Sequence, residues 1–183
     1  MSVHSLAKSD SHNFSKTPVQ SFNLVAGLGV DGDCHSGEAV QHRSRLHIQP
    51  PPPNLRQVHL IPKEILDQFD VEPGQIGENV TTTGIDLLSL GTRTKLHFVA
   101  GGDEGGERSE HPVVVVQGVR NPCPQINKFR PGLQEKFIER DENRVIVRRM
   151  AGVMGTVEVG GTISVGFKIV VERPDQFEAL KCV

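Results

Sequence analysis

A chain of 183 residues carrying 20 basic and 22 acidic side chains is close to electroneutral, so no global field recruits nucleic acid or an anionic membrane. Its length suits one domain, able to bury roughly 70% of its unfolded surface. Three cysteines, Cys34, Cys123 and Cys182, are odd in number and widely spaced, which argues against a disulfide framework or a CxxC zinc pair and fits a reducing compartment.

The N-terminal residues offer no apolar core of signal-peptide length and no apolar run is long enough to span a membrane, so the chain reads as cytoplasmic. We expect a flexible N-terminal segment, a core over about residues 17–171 and a short C-terminal tail. Segments rich in Val, Ile and Thr, separated by turn residues, predict a mostly β fold. The candidate strands are Ser21 to Ala26, Arg56 to Ile61, Glu78 to Thr83, Thr92 to Val99, Val113 to Val119, Arg144 to Met150, Gly155 to Val159, and Thr162 to Val171 broken at Gly166. Eight short strands of this kind suggest a closed or nearly closed barrel. Two capping helices are expected: Pro62 to Gln68, with a proline at its first position, and Pro131 to Arg140, where Leu133, Phe137 and Ile138 share a face. His42 to Asn54, with four consecutive prolines, predicts a long exposed loop, and Gly101 to His111 a solvated hairpin tip.

Several motifs carry chemistry. Gly27-Leu28-Gly29-Val30-Asp31-Gly32 satisfies GxGxxG, but no helix pattern or ribose-binding acid follows, so a dinucleotide fold is not expected. Gly32-Asp33-Cys34-His35-Ser36-Gly37 displays an acid, a thiol and an imidazole on one turn. Asp33 either orients His35 for proton transfer or anion binding, or bonds its own turn beside a solvated histidine. A zinc site built on Cys34 and His35 has no second ligand pair at usual spacing. Arg43, Arg45 and Arg56 lie on or beside the long loop and either converge on an anion or form a solvated basic surface. Glu78 and Asn79 break strand preference at the start of an apolar run, to bind a ligand or to satisfy a neighbouring turn. Gly152-Val153-Met154-Gly155 reads as bulge and turn. In Arg120-Asn121-Pro122-Cys123-Pro124, two prolines hold the thiol on a rigid bend at a strand end, and Arg120 would favour its thiolate. The alternative is a half-buried structural cysteine.

Taken in order, Gly-Asp-x-His-x-Gly at residues 32–37, Asn-Leu-Arg-Gln-Val at 54–58, Gly-Glu-Asn at 77–79 followed by Gly-Ile-Asp-Leu-Leu at 84–88, and Arg-Asn-Pro-Cys at 120–123 resemble the MOSC family. This is the domain at the C-terminus of molybdenum-cofactor sulfurases, also found alone. The resemblance covers about residues 17–171 and implies a MOSC-type β-barrel with a pocket for a molybdopterin-type molybdenum cofactor or related anionic ligand. It also implies sulfur transfer, or molybdenum-dependent reduction of N-hydroxylated compounds, with a sulfur-donor or redox partner protein. Cys123 would then ligate molybdenum or carry sulfur, with His35 and Asp33 beside it. Arg43, Arg45, Arg56, Glu78, Asn79 and Arg120 would hold the cofactor. Pyridoxal phosphate enters by family association only. Cys34 stands where members often carry a basic residue. The alternative to an enzyme is a non-catalytic anion-binding or cofactor-carrier module in which Cys123 only packs.

Overall fold

Short strands with alternating apolar residues close on themselves once each has a hydrogen-bonded neighbour on both sides, which removes every exposed edge. The computed structural model describes residues 1–40, 48–101 and 111–183. Among them the strands are β1 (Ser2–Lys8), β2 (Thr17–Val19), β3 (Ser21–Val25), β4 (Gly29–Val30), β5 (Val58–Pro62), β6 (Val80–Thr83), β7 (Lys95–Val99), β8 (Val113–Val119), β9 (Ile138–Arg140), β10 (Ile146–Arg149), β11 (Val153–Val159), β12 (Gly161–Ser164) and β13 (Lys168–Glu172). Helices are short: α1 (Lys63–Gln68), α2 (Gln125–Phe129) and α3 (Leu133–Lys136).

Seven strands form the barrel in the order β13, β7, β8, β11, β5, β6, β1, and the pair Ser2 with Lys168 closes the ring. All neighbours run antiparallel except β5 and β6, which are parallel. Strand β2 pairs outside the ring on β1, β12, β3 and β4 make a small second sheet, and β9 pairs with β10. The mostly β expectation holds.

Strand β5 explains where the core sits. All five of its residues are buried, which for a strand means that both faces are covered. Val58 and Leu60 belong to the interior cluster with Leu96, Phe98, Val114 and Val153. Ile61, on the opposite face by strand alternation, belongs to a second cluster with Ile65, Leu66, Ile126, Leu133 and Phe137. The barrel therefore has one apolar filling inside and a helical cap outside β5.

Several expectations need correction. Ser2–Lys8, assigned to a flexible segment outside the core, is a barrel strand with Leu6 and Val3 buried; its few apolar residues gain their meaning only from pairing with β6 and β13. The single helix expected over Pro131 to Arg140 stops at Lys136, because Phe137 is anchored in the cap and the chain turns into β9, which pairs with β10. Helix α2, which follows Pro124, was not expected. Pro62 caps α1 in extended conformation and is not its first residue.

Other readings hold. The GxGxxG stretch is the tight turn from β3 to β4, with Gly27, Gly29 and Gly32 at positive φ, and no helix opens from it. The bulge expected near Gly152 is seen as a register shift between Met154 and Gly155. Residues 42–47 of the expected long loop and 102–110 of the hairpin tip lie outside the described residues. The far end of that loop is not freely exposed: Asn54 is buried and its side-chain amide donates to the carbonyls of His35 (2.9 Å) and Gly37 (3.0 Å).

Candidate functional site

Strand alternation dictates which residues face outward at the end of β5. His59 lies between Val58 and Leu60, so it points away from the barrel filling. Met154 stands opposite it on β11, and Gly118 of β8 stands opposite Met154, so Arg120, two residues beyond Gly118, continues that outer face. The loop over residues 9–16, the turn at 33–37 and the bend after β8 enclose this patch as a half-open cleft of about 100 Å³, to which His12, Lys16, His35, Arg56, His59, Arg120, Cys123 and Gln125 contribute.

Cys123 occupies the bend between β8 and α2, as its two flanking prolines require. Its thiol is half-buried, reaches the cleft and also packs against the outer cap. An Arg120 guanidinium nitrogen lies 4.0 Å from Sγ, while the other terminal nitrogen donates to the carbonyl of Ile76 at 2.8 Å. Burial lowers the Arg120 pKa, opposed by Cys123 and Glu78. The pair expected from the Arg-Asn-Pro-Cys motif is thus real in geometry.

Asp33 is a buried hub and not a lining residue. Its side chain is fully buried and accepts from Lys16 Nζ (2.7 Å), Asn79 Nδ2 (3.0 Å), and the backbone N–H of His35 (3.0 Å) and Ser9 (3.3 Å). Burial works to raise its pKa, but the hydrogen bonds from His35 and the ion pair with Lys16 outweigh it and hold the carboxyl well below the usual carboxylate range. Lys16 responds in the opposite sense, with burial lowering its pKa against the pull of Asp33. A charge taken this far from water persists only when paired in this way. His35 sits on the cleft wall, its Nδ1 3.3 Å from Asp33 Oδ1. Asp33 is thereby a positioning residue, and His35 is the member of the motif that can meet a ligand.

Asn79 and Glu78 divide in a similar way. Asn79 brackets the His59 peptide: its backbone N–H donates to the His59 carbonyl (2.9 Å) and its Oδ1 accepts from the His59 N–H (3.1 Å). It lines the cleft while holding the β5 backbone there. Glu78 is 1% exposed and does not line the cleft. Its Oε1 accepts from the Gly74 N–H and from Thr81 Oγ1 at 3.2 Å, whereas Oε2 is buried without a partner. Burial raises its pKa, against the hydrogen bond from Gly74 and the charge of Arg120.

Arg56 lines the cleft as expected, half-buried, and its guanidinium donates to the Val183 carbonyl oxygen of the tail. Arg43 and Arg45 lie outside the described residues. Of the four arginines expected to converge, the described two, Arg56 and Arg120, do share the cleft.

Sequence reading missed Lys16, His59, His12 and Gln125. His59 had a visible signal: an imidazole inside an otherwise apolar strand. Its Nε2 lies 2.7 Å from the Ala151 carbonyl, and Nδ1 is buried without a partner. Burial, then the charge of Arg120, pushes its pKa well down, so the ring is neutral. Neutrality makes Nε2 a donor to Ala151 and leaves Nδ1 as the acceptor. Gly152 makes this fit possible, since a Cβ there would stand 2.2 Å from the Leu60 carbonyl oxygen and 3.0 Å from His59 Nε2. Lys16 had no local signal.

No protein-family model matches the chain, and no curated protein matches it in sequence. Solved structures do. The YuaD protein of Bacillus subtilis superposes with a TM-score of 0.69 at 21% identity, over 93% of this chain and 94% of that one. YiiM from Escherichia coli gives a TM-score of 0.56 at 18% identity over 98% of this chain and 74% of that one. YiiM from Geobacillus stearothermophilus gives 0.57 at 18% over 94% and 73%. At these identities the likeness is one of fold, and it is consistent with the MOSC-like fold implied by the motifs. Among the described residues no helix is long and apolar enough to cross a membrane.

Proposed function

We propose that the chain is a cytoplasmic MOSC-type protein that binds a molybdopterin-type cofactor, or a closely related anionic ligand, in this cleft with Cys123 as the reactive thiol. The observation that carries the reading is the placement of Cys123 Sγ 4.0 Å from the Arg120 guanidinium, on a cleft also lined by Arg56 and His35. The donor set fits the group. A soft thiol suits molybdenum or a sulfane sulfur, and guanidinium forks suit a phosphate. Arg120 and Arg56 would hold the anionic part, His35 and Gln125 would meet its polar edges, and Cys123 would ligate the metal or carry sulfur.

The bound cofactor would supply two-electron redox chemistry, which reduction of an N-hydroxylated compound requires together with electrons from a partner protein. The chain's own residues orient and tune. Arg120 keeps a guanidinium nitrogen 4.0 Å from Cys123 Sγ. Lys16 and Asn79 clamp Asp33, which fixes His35 on the wall. Neutral His59 adds no charge to the floor. In the sulfur-transfer version, the Cys123 thiolate attacks the terminal sulfur of a donor persulfide, the donor S–S bond breaks, and the donor leaves as a thiolate. Pyridoxal phosphate fits less well, because Lys16, the lysine lining the cleft among the described residues, has its ammonium committed to Asp33. A carrier without catalysis is the second reading, favoured by the packing of Cys123 against the outer cap.

Elemental analysis of protein purified from a host that makes the cofactor tests the proposal. Near-stoichiometric molybdenum, lost in Cys123→Ser, is the expected result. Molybdenum retained at full level in that variant would support the carrier. Absence of both molybdenum and a Cys123 persulfide by intact-mass measurement would overturn the proposal.

A further inference from the structure

We infer that His12, Cys34 and His35 form a three-ligand zinc site at the rim of the cleft, with a fourth coordination position open. The inference is independent of the cofactor reading above. Each of the three residues offers a ligand atom, and these atoms all lie within 4.8 Å of one another. Cys34 Sγ is 3.2 Å from His35 Nδ1, and the His12 and His35 rings are 5.4 Å apart between centroids. With Zn–N and Zn–S bonds of about 2.0–2.3 Å, tetrahedral ligand atoms stand about 3.3–3.8 Å apart. The cluster is therefore near the right size.

The two segments that bring these residues together are held before any metal arrives. The Cys34 N–H donates to the Ser9 carbonyl at 2.8 Å, joining the 33–37 turn to the start of the His12 loop. The other end of that loop is anchored by the Lys16 N–H on the Gly74 carbonyl (2.8 Å) and by Ser15 Oγ on the Gln75 carbonyl (2.8 Å). A site preorganised at both ends spends little of the binding free energy on ordering the chain.

The surroundings favour a cation. Asp33 Oδ1 lies 3.3 Å from His35 Nδ1 and 4.0 Å from Cys34 Sγ, a negative charge beside the ligand set. On binding, the S–H proton leaves to solvent as the S–Zn bond forms. One cysteine, two histidines and an open position match zinc sites that hold water or a substrate atom. Because His12 and His35 also line the cleft, the open position is available to an anionic or thiol group of a bound molecule.

The test uses the full chain carrying Cys182→Ser, stripped with a chelator and titrated with Co²⁺ as a spectroscopic probe. The expected result is a thiolate-to-cobalt charge-transfer band with tetrahedral visible bands, saturating at one equivalent and displaced by Zn²⁺. Cys34→Ser should abolish the charge-transfer band, and His12→Ala should weaken Zn²⁺ binding by about tenfold or more. Both variants should keep the parent's melting temperature in the stripped state, and Cys123→Ser should keep the band. A band that survives Cys34→Ser, or disappears with Cys123→Ser, would overturn the assignment. So would the absence of any band, or unchanged zinc affinity in His12→Ala.

Discussion

The two faces of β5 behave as two different materials. Toward the barrel, Val58 and Leu60 belong to an apolar filling with Val80, Leu96 and Phe98. Toward the outside, one residue along, His59 is held by Asn79 and Ala151 beside a cleft that contains two guanidinium groups and a thiol. Inside, close packing of chemically equivalent groups makes the energy depend on volume. Outside, polar groups are held by specific hydrogen-bond partners, with Glu78 Oε2 and His59 Nδ1 among the described buried atoms that lack one. The barrel supplies stability and the outer face spends some of it on positioning.

The largest test of this contrast is Phe98→Ala. Phe98 is fully buried in the filling, and its truncation should cost about 3–5 kcal/mol in urea unfolding, with a loss that varies little between pH 4 and 8. Asp33→Ala breaks the outer face by a different mechanism, leaving the Lys16 ammonium buried and uncompensated. A comparable loss of about 3–5 kcal/mol is expected at pH 7, but with a distinctive pH profile. The Asp33 carboxyl is held below its ordinary value, so it contributes stability above about pH 4, the unfolded value, and that contribution fades as pH falls toward the depressed folded value. The gap between parent and variant should therefore narrow below pH 4, whereas the Phe98→Ala gap should not. Parallel profiles for the two variants would erase the distinction.

Arg56→Ala probes function without the core. We expect ligand binding, measured by calorimetry with a phosphate-bearing pterin, to weaken by about 1.5–3 kcal/mol, at least tenfold, with an almost unchanged melting temperature. Unchanged affinity would remove Arg56 from the anion site. The smallest effect should come from Glu78→Gln, which keeps an oxygen for the Gly74 N–H and Thr81 hydroxyl. The parent carboxyl has a raised pKa, so its cost is absent below about pH 4.3 and grows as pH rises toward the folded value. Glu78→Gln should be equal to or up to about 1 kcal/mol more stable than the parent at pH 7, with the difference vanishing at pH 4. A variant less stable at pH 7 would show that the ionised carboxylate is needed by Arg120.

Many of the strands, in the barrel and in the small second sheet, were legible because a strand writes its two faces into a period of two. Phe22 and Leu24 of β3, the run Val113 to Val116 of β8 and the break at Gly166 all predicted their elements. The Arg-Asn-Pro-Cys bend was legible for the same local reason, since two prolines exclude both regular ladders around Cys123. Strand β1 was not legible, because its edge is satisfied by β6 and β13, segments more than seventy residues away. The same holds for the site: Lys16 has meaning only opposite Asp33, and His59 reads as an anomaly until β11 and Asn79 define the face it occupies. The chain's local periodicity and turn chemistry determined by themselves that it would be a β-barrel with a rigidly held thiol, because those signals act over a few residues of backbone. Which charges became buried partners, and which polar side chains met in one cleft, was decided only by ring closure, because it is the pairing of distant strands that selects which outward-facing residues stand side by side.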